Sequence, residues 1–219
     1  MGYIWQGFGT TLAVTLVAAL IGLVLGFIVA VVKIAAMNNK WMKIPAFICN
    51  VYTTVIRGTP VALQLFLMVF SILAFPNFKP YAAILTFGIN SGAYVSENIR
   101  AGIMSVDNGQ MEAGRSLGMP WGATMVRIVF PQAIKNVVPA IGNEMIALLK
   151  ETSIIGWVGS TVNSLTFDLN AAASQIALGL GGAYLAPSII VGVFYLVVVY
   201  AMVLIVKLVE GRLRKSDRR

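Results

Sequence analysis

The sequence predicts an all-α membrane protein with five transmembrane helices, the N-terminus outside and the C-terminus cytoplasmic. Three observations carry that expectation. The 219 residues are 58% hydrophobic and only 11% charged, whereas soluble domains run at about 45–50% and about 25%, so a water-soluble fold of this chain would lack a polar coat. The charges also divide the chain into long uncharged runs, residues 1–32, 58–78, 80–96, 152–167 and 169–206. A spanning helix needs roughly 20 mostly apolar residues. Finally, the 16 Lys and Arg residues are distributed unevenly between the two faces that five crossings would create.

The chain reads as one transmembrane domain over 1–219, with spans at about 11–32, 60–78, 81–96, 137–165 and 187–206. The first span carries Gly22 and Gly26 four residues apart, the spacing of a small-residue face that lets a second helix approach closely. The plainer expectation, and the one preferred here, is a spanning helix that merely contains glycine. No basic stretch precedes it and no small-residue cleavage site follows, so it does not read as a signal peptide. Residues 44–57 are expected as a helix at the inner surface. Arg57-Gly58-Thr59-Pro60 then breaks the chain, because proline disfavours helix at the residue before it. Pro76-Asn77-Phe78-Lys79-Pro80 is expected as a turn. The third span is short and contains Asn90, Ser91 and Gly92, which favours a protein-facing position. Residues 97–135 hold seven charges and are expected in water. Residues 166–186 are small and polar, and a basic tail closes the chain.

Placing the N-terminus outside puts 14 basic residues on the inner segments: Lys33, Lys40, Lys43, Arg57, Arg100, Arg115, Arg127, Lys135 and the six of the tail. Lys79 alone falls outside, and Lys150 lies in the fourth span. Cytoplasmic loops carry the excess of Lys and Arg, so the 97–135 segment is assigned to the cytoplasm. The tail is expected to anchor topology and attract anionic lipid; a nucleic-acid role is not expected.

Several chemistries are excluded by composition. The chain has no His, which removes His-dependent nucleophilic triads, His metal sites and His proton relays. One Cys, Cys49, makes neither an internal disulfide nor a zinc site. No G-x-x-x-x-G-K-[ST] string is present, so the chain has no phosphate-cradling loop of its own. Asp107 and Asp168 fall outside the spans on opposite sides, which argues against a paired-Asp intramembrane enzyme.

The polar segment contains Glu112-Ala113-Gly114-Arg115-Ser116-Leu117-Gly118-Met119-Pro120-Trp121-Gly122, then Ile128-Val129-Phe130-Pro131. Residues 108–117 suit a short helix. Gly118 can adopt a left-handed conformation and close it, and Pro120 suits the first turn of a second helix over about 121–130, expected to end before Pro131. This string resembles the EAA motif of the membrane subunits of ATP-binding-cassette (ABC) importers: Glu-Ala-Ala, three residues, Gly, nine residues, Ile, any residue, Leu-Pro. Glu112, Ala113, Gly118, Ile128 and Pro131 fall on that spacing, while Gly114 replaces the second Ala and Phe130 replaces Leu. Gly9-Thr10-Thr11-Leu12 through Gly26 is similar to the first helix of that family, and Arg57-Gly58-Thr59-Pro60, Ala93-Tyr94-Val95-Ser96-Glu97, Gly142-Asn143-Glu144 and Leu149-Lys150-Glu151-Thr152-Ser153 are similar to the polar amino-acid branch of those permeases.

The resemblance implies a type I ABC importer permease (MetI-like) fold in a bacterial inner membrane. It implies a separate ATPase, on which ATP and Mg act, so this chain binds no cofactor and is not itself an enzyme. It also implies an extracytoplasmic solute-binding protein, a second permease copy or paralogue, and a polar amino acid as cargo. Glu112, Ala113, Gly114, Arg115, Gly118 and Pro131 then form the ATPase-coupling segment, with Ala113 and Gly114 small enough for close docking.

Charges within a span are costly and are usually paired or functional. Glu144, beside Asn143 in a helix that Pro139 and Gly142 are expected to loosen, either holds the ammonium of an amino acid or closes an ion pair with Lys150 or Arg57. Arg57 attracts a substrate carboxylate or simply reaches to the interface. Asn90 and Ser91 line the pathway or join helices. Glu97 is expected to pair with Arg100, three residues on, and Lys150 with Glu151 as a structural or gating pair. The competing reading is a secondary transporter or channel without an ATPase, in which Glu144 would couple ions and the EAA segment would have no task.

Overall fold

The structure is a computed structural model that describes residues 2–75, 78–159 and 164–215. Every regular element in it is helical. The first helix, α1, runs Gly2–Ala35, longer than the expected span because no charge interrupts residues 1–32. Helix α2 follows at Lys43–Gly58 and α3 at Val61–Leu67, the latter ending in a π turn over Met68–Ile72. The remaining helices are α4 (Lys79–Met104), α5 (Asn108–Ser116), α6 (Trp121–Thr124), α7 (Phe130–Glu151), α8 (Leu169–Gly179) and α9 (Leu185–Lys215). Two of them, α1 and α9, are singly long and apolar enough to cross a membrane, and the bent pair of α2 and α3 is a third candidate.

The expectation for Gly22 and Gly26 is corrected. They form a close-contact face after all, matched by glycines on α4. A Cβ on Gly22 would lie 2.9 Å from Ser91 Cβ, and one on Gly26 would lie 2.6 Å from Val95 Cγ1. Reciprocally, a Cβ on Gly88 would lie 2.7 Å from Ile21 Cγ2, and one on Gly92 would crowd Leu25 and Tyr52. Small residues on both helices let the backbones meet, which is how helices associate when lipid removes the hydrophobic drive between them.

Residues 44–57 do form a helix, and it packs against α1 and α4 with Ala46 and Thr53 buried. The Tyr52 hydroxyl donates to the Ile89 carbonyl, which brings α2 to the middle of α4. At Thr59 the backbone is extended (φ −120°, ψ 145°), as a residue before proline should be, and α3 departs at 103° to α2. The carbonyls freed at this break need partners inside a membrane. Gln64 supplies them: its Nε2 donates to Ile56 O at 2.8 Å and Thr59 O at 3.1 Å, while its Oε1 accepts from Asn90 Nδ2 at 3.0 Å. Of the expected turn at 76–80, Pro76 and Asn77 lie outside the described residues.

Helix α4 continues to Met104, eight residues into the segment expected in water. Helix α7 ends at Glu151, and a 3-10 stretch occupies Thr152–Val158; residues 160–163 of the expected fourth span are outside the described residues. Contrary to expectation, α7 is not loosened at Pro139, which sits inside a continuous helix. Gly142 instead admits Val206 of α9, whose Cγ2 would lie 2.6 Å from an added Cβ. Helix α8 was not expected. Asp168 caps it, accepting from Ala171 N at 2.8 Å, and the α-helix follows from that cap. The final helix runs on into the basic tail, whose residues 216–219 lie outside the described residues.

Two apolar clusters are stacked along the bundle. One gathers Val14, Ala18, Leu65, Phe87, Leu148 and Ile155. The other gathers Ala30, Ile34, Val95, Ile99, Ala133 and Val137. Between them lies a level where α4 and α7 carry polar side chains, among them Asn90, Ser91, Asn143 and Glu144, while α1 offers only glycine and apolar residues there.

Candidate functional site

The segment after α4 folds into the expected pair of short helices. Asp107 starts α5 by accepting from Gly109 N at 2.8 Å. At its other end Gly118 has φ +81°. Gly118 N donates to Arg115 O at 2.9 Å and Met119 N to Gly114 O at 3.1 Å, the two bonds of a Schellman ending. Pro120 then leads into α6 with Thr124 N bonded to its carbonyl. The second helix does not end before Pro131, which is a correction. It passes through a π turn at Met125–Val129 and becomes α7, with Pro131 in the first turn. The π turn shifts the hydrogen-bond register at this junction, with Phe130 N bonded to Met125 O, so the N–H that Pro131 lacks does not stop the helix.

Glu112, Ala113 and Arg115 are exposed on the outer side of this hairpin. Gly114 is not, which corrects its expected docking role. It is buried, and a Cβ there would lie 2.4 Å from Thr124 Cγ2, so its small size seats α5 on the following helix. Leu117, at 82% exposure, projects from the tip beside Gly118. Sequence reasoning passed over it as an ordinary apolar residue. The hairpin is tied back by Gln132 Nε2 to Gln110 Oε1 at 3.2 Å and by Asn136 Nδ2 to Ser105 Oγ at 2.8 Å.

The middle level gathers the pathway candidates. Asn90 and Ser91 are buried. The Ser91 hydroxyl has no hydrogen bond of full geometry within the chain, yet it faces Glu144, which also lies within electrostatic reach of Glu151 and Arg57. Arg57 is exposed and lies over the Tyr94 ring at 5.1 Å. Asn143 is exposed on the neighbouring face of α7. Glu144 closes no ion pair with Lys150 or Arg57 among the described residues, and neither do Lys150 and Glu151 with each other. Lys150 and Glu151 therefore attract one another at longer range rather than as a contact ion pair. Adjacent residues on a helix point about 100° apart, and Lys150 turns to a pocket with Ser153, Asn170 and Tyr195.

Near the C-terminal end of α1 lies a buried network, half of which is local in sequence. Glu97 Oε2 accepts from Arg100 Nη2 at 2.8 Å, as expected. Its Oε1 takes Lys33 Nζ at 2.7 Å, and Lys33 also donates to Thr53 Oγ1 at 2.6 Å. The Lys33 and Glu97 side chains are only 5% and 16% exposed. Lys33, counted among the basic residues of the inner segments, is thus a buried tie between α1, α2 and α4. A separation of 64 residues leaves no local signal for it.

Near the N-terminal end of α1, Asp168 is fully buried. It lies outside the expected spans, with Oδ2 unpartnered within the chain among the described residues. Burial raises its carboxyl to about 6, against the lowering effect of the backbone N–H groups around it.

Residues 22–215 match the family described as "Binding-protein-dependent transport system inner membrane component". The chain is 39% identical over 219 residues to the arginine transport system permease protein ArtQ of Bacillus subtilis, covering 98% of this chain and 94% of that one. It is 35% identical over 214 residues to a putative glutamine transport system permease protein, GlnP, of Rickettsia typhi, covering 96% and 93%. Among solved structures, an amino acid ABC transporter crystallised with histidines superposes with a TM-score of 0.85 at 36% identity over 96% of this chain and 94% of that one. The inward-facing MetNI methionine transporter shares the fold, with a TM-score of 0.80 at 19% identity over 97% of each chain.

Proposed function

The chain belongs to the family of inner membrane components of binding-protein-dependent transport systems, and from that premise we propose how it works. It is a multi-pass permease subunit of an ABC importer for amino acids in the inner membrane. In that family ATP is hydrolysed by a separate ATPase. The cargo proposed is a polar or charged amino acid, and the names of the arginine and glutamine relatives support that choice.

Five crossings are proposed: α1, the bent α2–α3 pair, α4, α7 and α9, with the N-terminus outside. The basic residues of the inner segments support this orientation. Five helices with one lever make half of a pathway, so a second copy or a paralogue completes it. An extracytoplasmic binding protein delivers solute, and ATP with Mg acts on the ATPase under each permease.

The observation that carries the mechanism is the closed α5–α6 hairpin, with Glu112, Ala113 and Arg115 outward and Leu117 at its tip. Its Schellman ending and its two side-chain ties make it a stiff unit continuous with α7. A partner ATPase that grips this hairpin moves α7, and with it Glu144. Closure of the ATPase dimer is thereby converted into rigid-body alternating access. At the middle level Glu144 takes the ammonium of the solute and Arg57 its carboxylate, with Asn90, Ser91 and Asn143 as polar lining. The disposition of these groups between two apolar clusters supports that reading.

The test is reconstitution of the full chain with its ATPase and binding protein in vesicles. Uptake should require ATP, be blocked by vanadate and be lost in Glu112→Lys while the protein stays in the membrane. Uptake that survives without the ATPase would overturn the proposal.

A further inference from the structure

A cavity of about 930 Å³ opens near the inner end of α1, between that end, α2 and the last turns of α4. Four of its lining side chains are basic, Lys33, Lys43, Arg57 and Arg100, and one is acidic, Glu97. Both Glu97 oxygens are already taken, one by Lys33 and one by Arg100. Lys43 and Arg57 have no acidic partner within ion-pair distance among the described residues. The cavity is therefore a walled space with a surplus of positive charge, suited to an anion.

Its surroundings specify which anion. Phe47 lines the cavity and is also largely exposed. It leads onto the outward flank of α2, where Ile44, Ile48, Val51 and Val55 are exposed in a strip. Trp41, at 88% exposure, stands just before that helix. Trp and Lys at a helix entrance mark the membrane–water interface. Charge and apolar strip thus adjoin as a phosphate and an acyl chain adjoin in one molecule.

We propose that this cavity binds the phosphate headgroup of an anionic phospholipid, with Lys43 and Arg100 as its principal charge contacts and the acyl chain along the α2 strip. Placing that lipid in the inner leaflet rests on the orientation given above. Binding in detergent does not, so the two readings fail separately.

The experiment is native mass spectrometry of the purified full chain titrated with phosphatidylglycerol. One lipid should be retained per chain. Each charge near a headgroup is worth about fivefold in affinity, so K43Q/R100Q should lower affinity on the order of 25-fold. K40Q/K207Q, which removes two cations that do not line the cavity, should change it less than about twofold on the same scale. Arg100 also holds Glu97, so K43Q/R100K is the control that preserves that pair, and it should cost about fivefold. Equal losses in the cavity and control variants, or no loss in the cavity variants, would overturn the proposal. So would equal retention of phosphatidylcholine, or displacement of the lipid by inorganic phosphate. Disulfide capture of T54C by T54C of a second copy, with loss of the lipid, would instead assign the cavity to a permease–permease contact and overturn it as well.

Discussion

The α5–α6 hairpin and the Lys33–Glu97–Arg100 network lie toward the same end of the molecule, and both are rich in charge, yet they use it in opposite ways. In the hairpin, Glu112 and Arg115 are exposed, and the turn itself rests on bonds between residues three to five apart. In the network, Lys33 and Glu97 are buried and satisfy one another, with Thr53 of α2 as a further acceptor and the partly exposed Arg100 on the second Glu97 oxygen. A charge held in water is available to a partner. A charge held in protein is already committed, and removing its counterpart is costly. On the proposed coupling role, the hairpin receives force from outside the chain and the network keeps three helices together.

The largest expected effect separates these two roles. Lys33→Met should cost about 3–5 kcal/mol of stability, the usual penalty for stranding half of a buried pair, seen as a lower unfolding temperature in detergent. Glu112→Lys, on the exposed hairpin, should leave stability within about 0.5 kcal/mol of the parent while abolishing uptake. Equal stability losses in the two variants would erase the distinction.

Asp168 extends the comparison to the opposite end of α1. Its pKa is raised in the fold to about 6 from the model-peptide value of 3.8, so the folded state favours the protonated form. The stability this gives is complete below about pH 4 and is lost as pH rises through about 6, to a total of about 3 kcal/mol. Asp168→Asn keeps a capping side chain and should remove that pH dependence. Parallel pH profiles for the two proteins would show that the buried carboxyl is not under this strain.

A smaller effect is expected at the hairpin itself. Gly118 has φ +81°, and nothing lies within 4 Å of an added Cβ. Gly118→Ala should therefore cost only the left-handed backbone, about 1–2 kcal/mol, with a matching loss of coupling between ATP hydrolysis and uptake. The smallest stability change is expected for Glu144→Gln, which should alter solute affinity or selectivity with little effect on unfolding. Unchanged affinity and selectivity would make Glu144 a structural residue.

The sequence by itself determined the solvent of this protein and the shape of its hairpin. Membrane residence follows from transfer free energy summed over long runs, which is a property of composition. The hairpin follows from Gly118, Pro120 and the helix between Asp107 and Gly118, because turns and caps are settled by backbone torsions and bonds spanning a few residues. The tertiary structure alone decided which faces meet. Only there do Gly22 and Gly26 find Ser91 and Val95, Gly114 find Thr124, Gln64 repair the break after Gly58, and Lys33 find Glu97. A glycine, an amide or an ammonium carries the same local signal whatever lies opposite it. What lies opposite depends on the packing of segments distant in sequence, where close backbone approach and the cost of an unpaired buried charge select one arrangement.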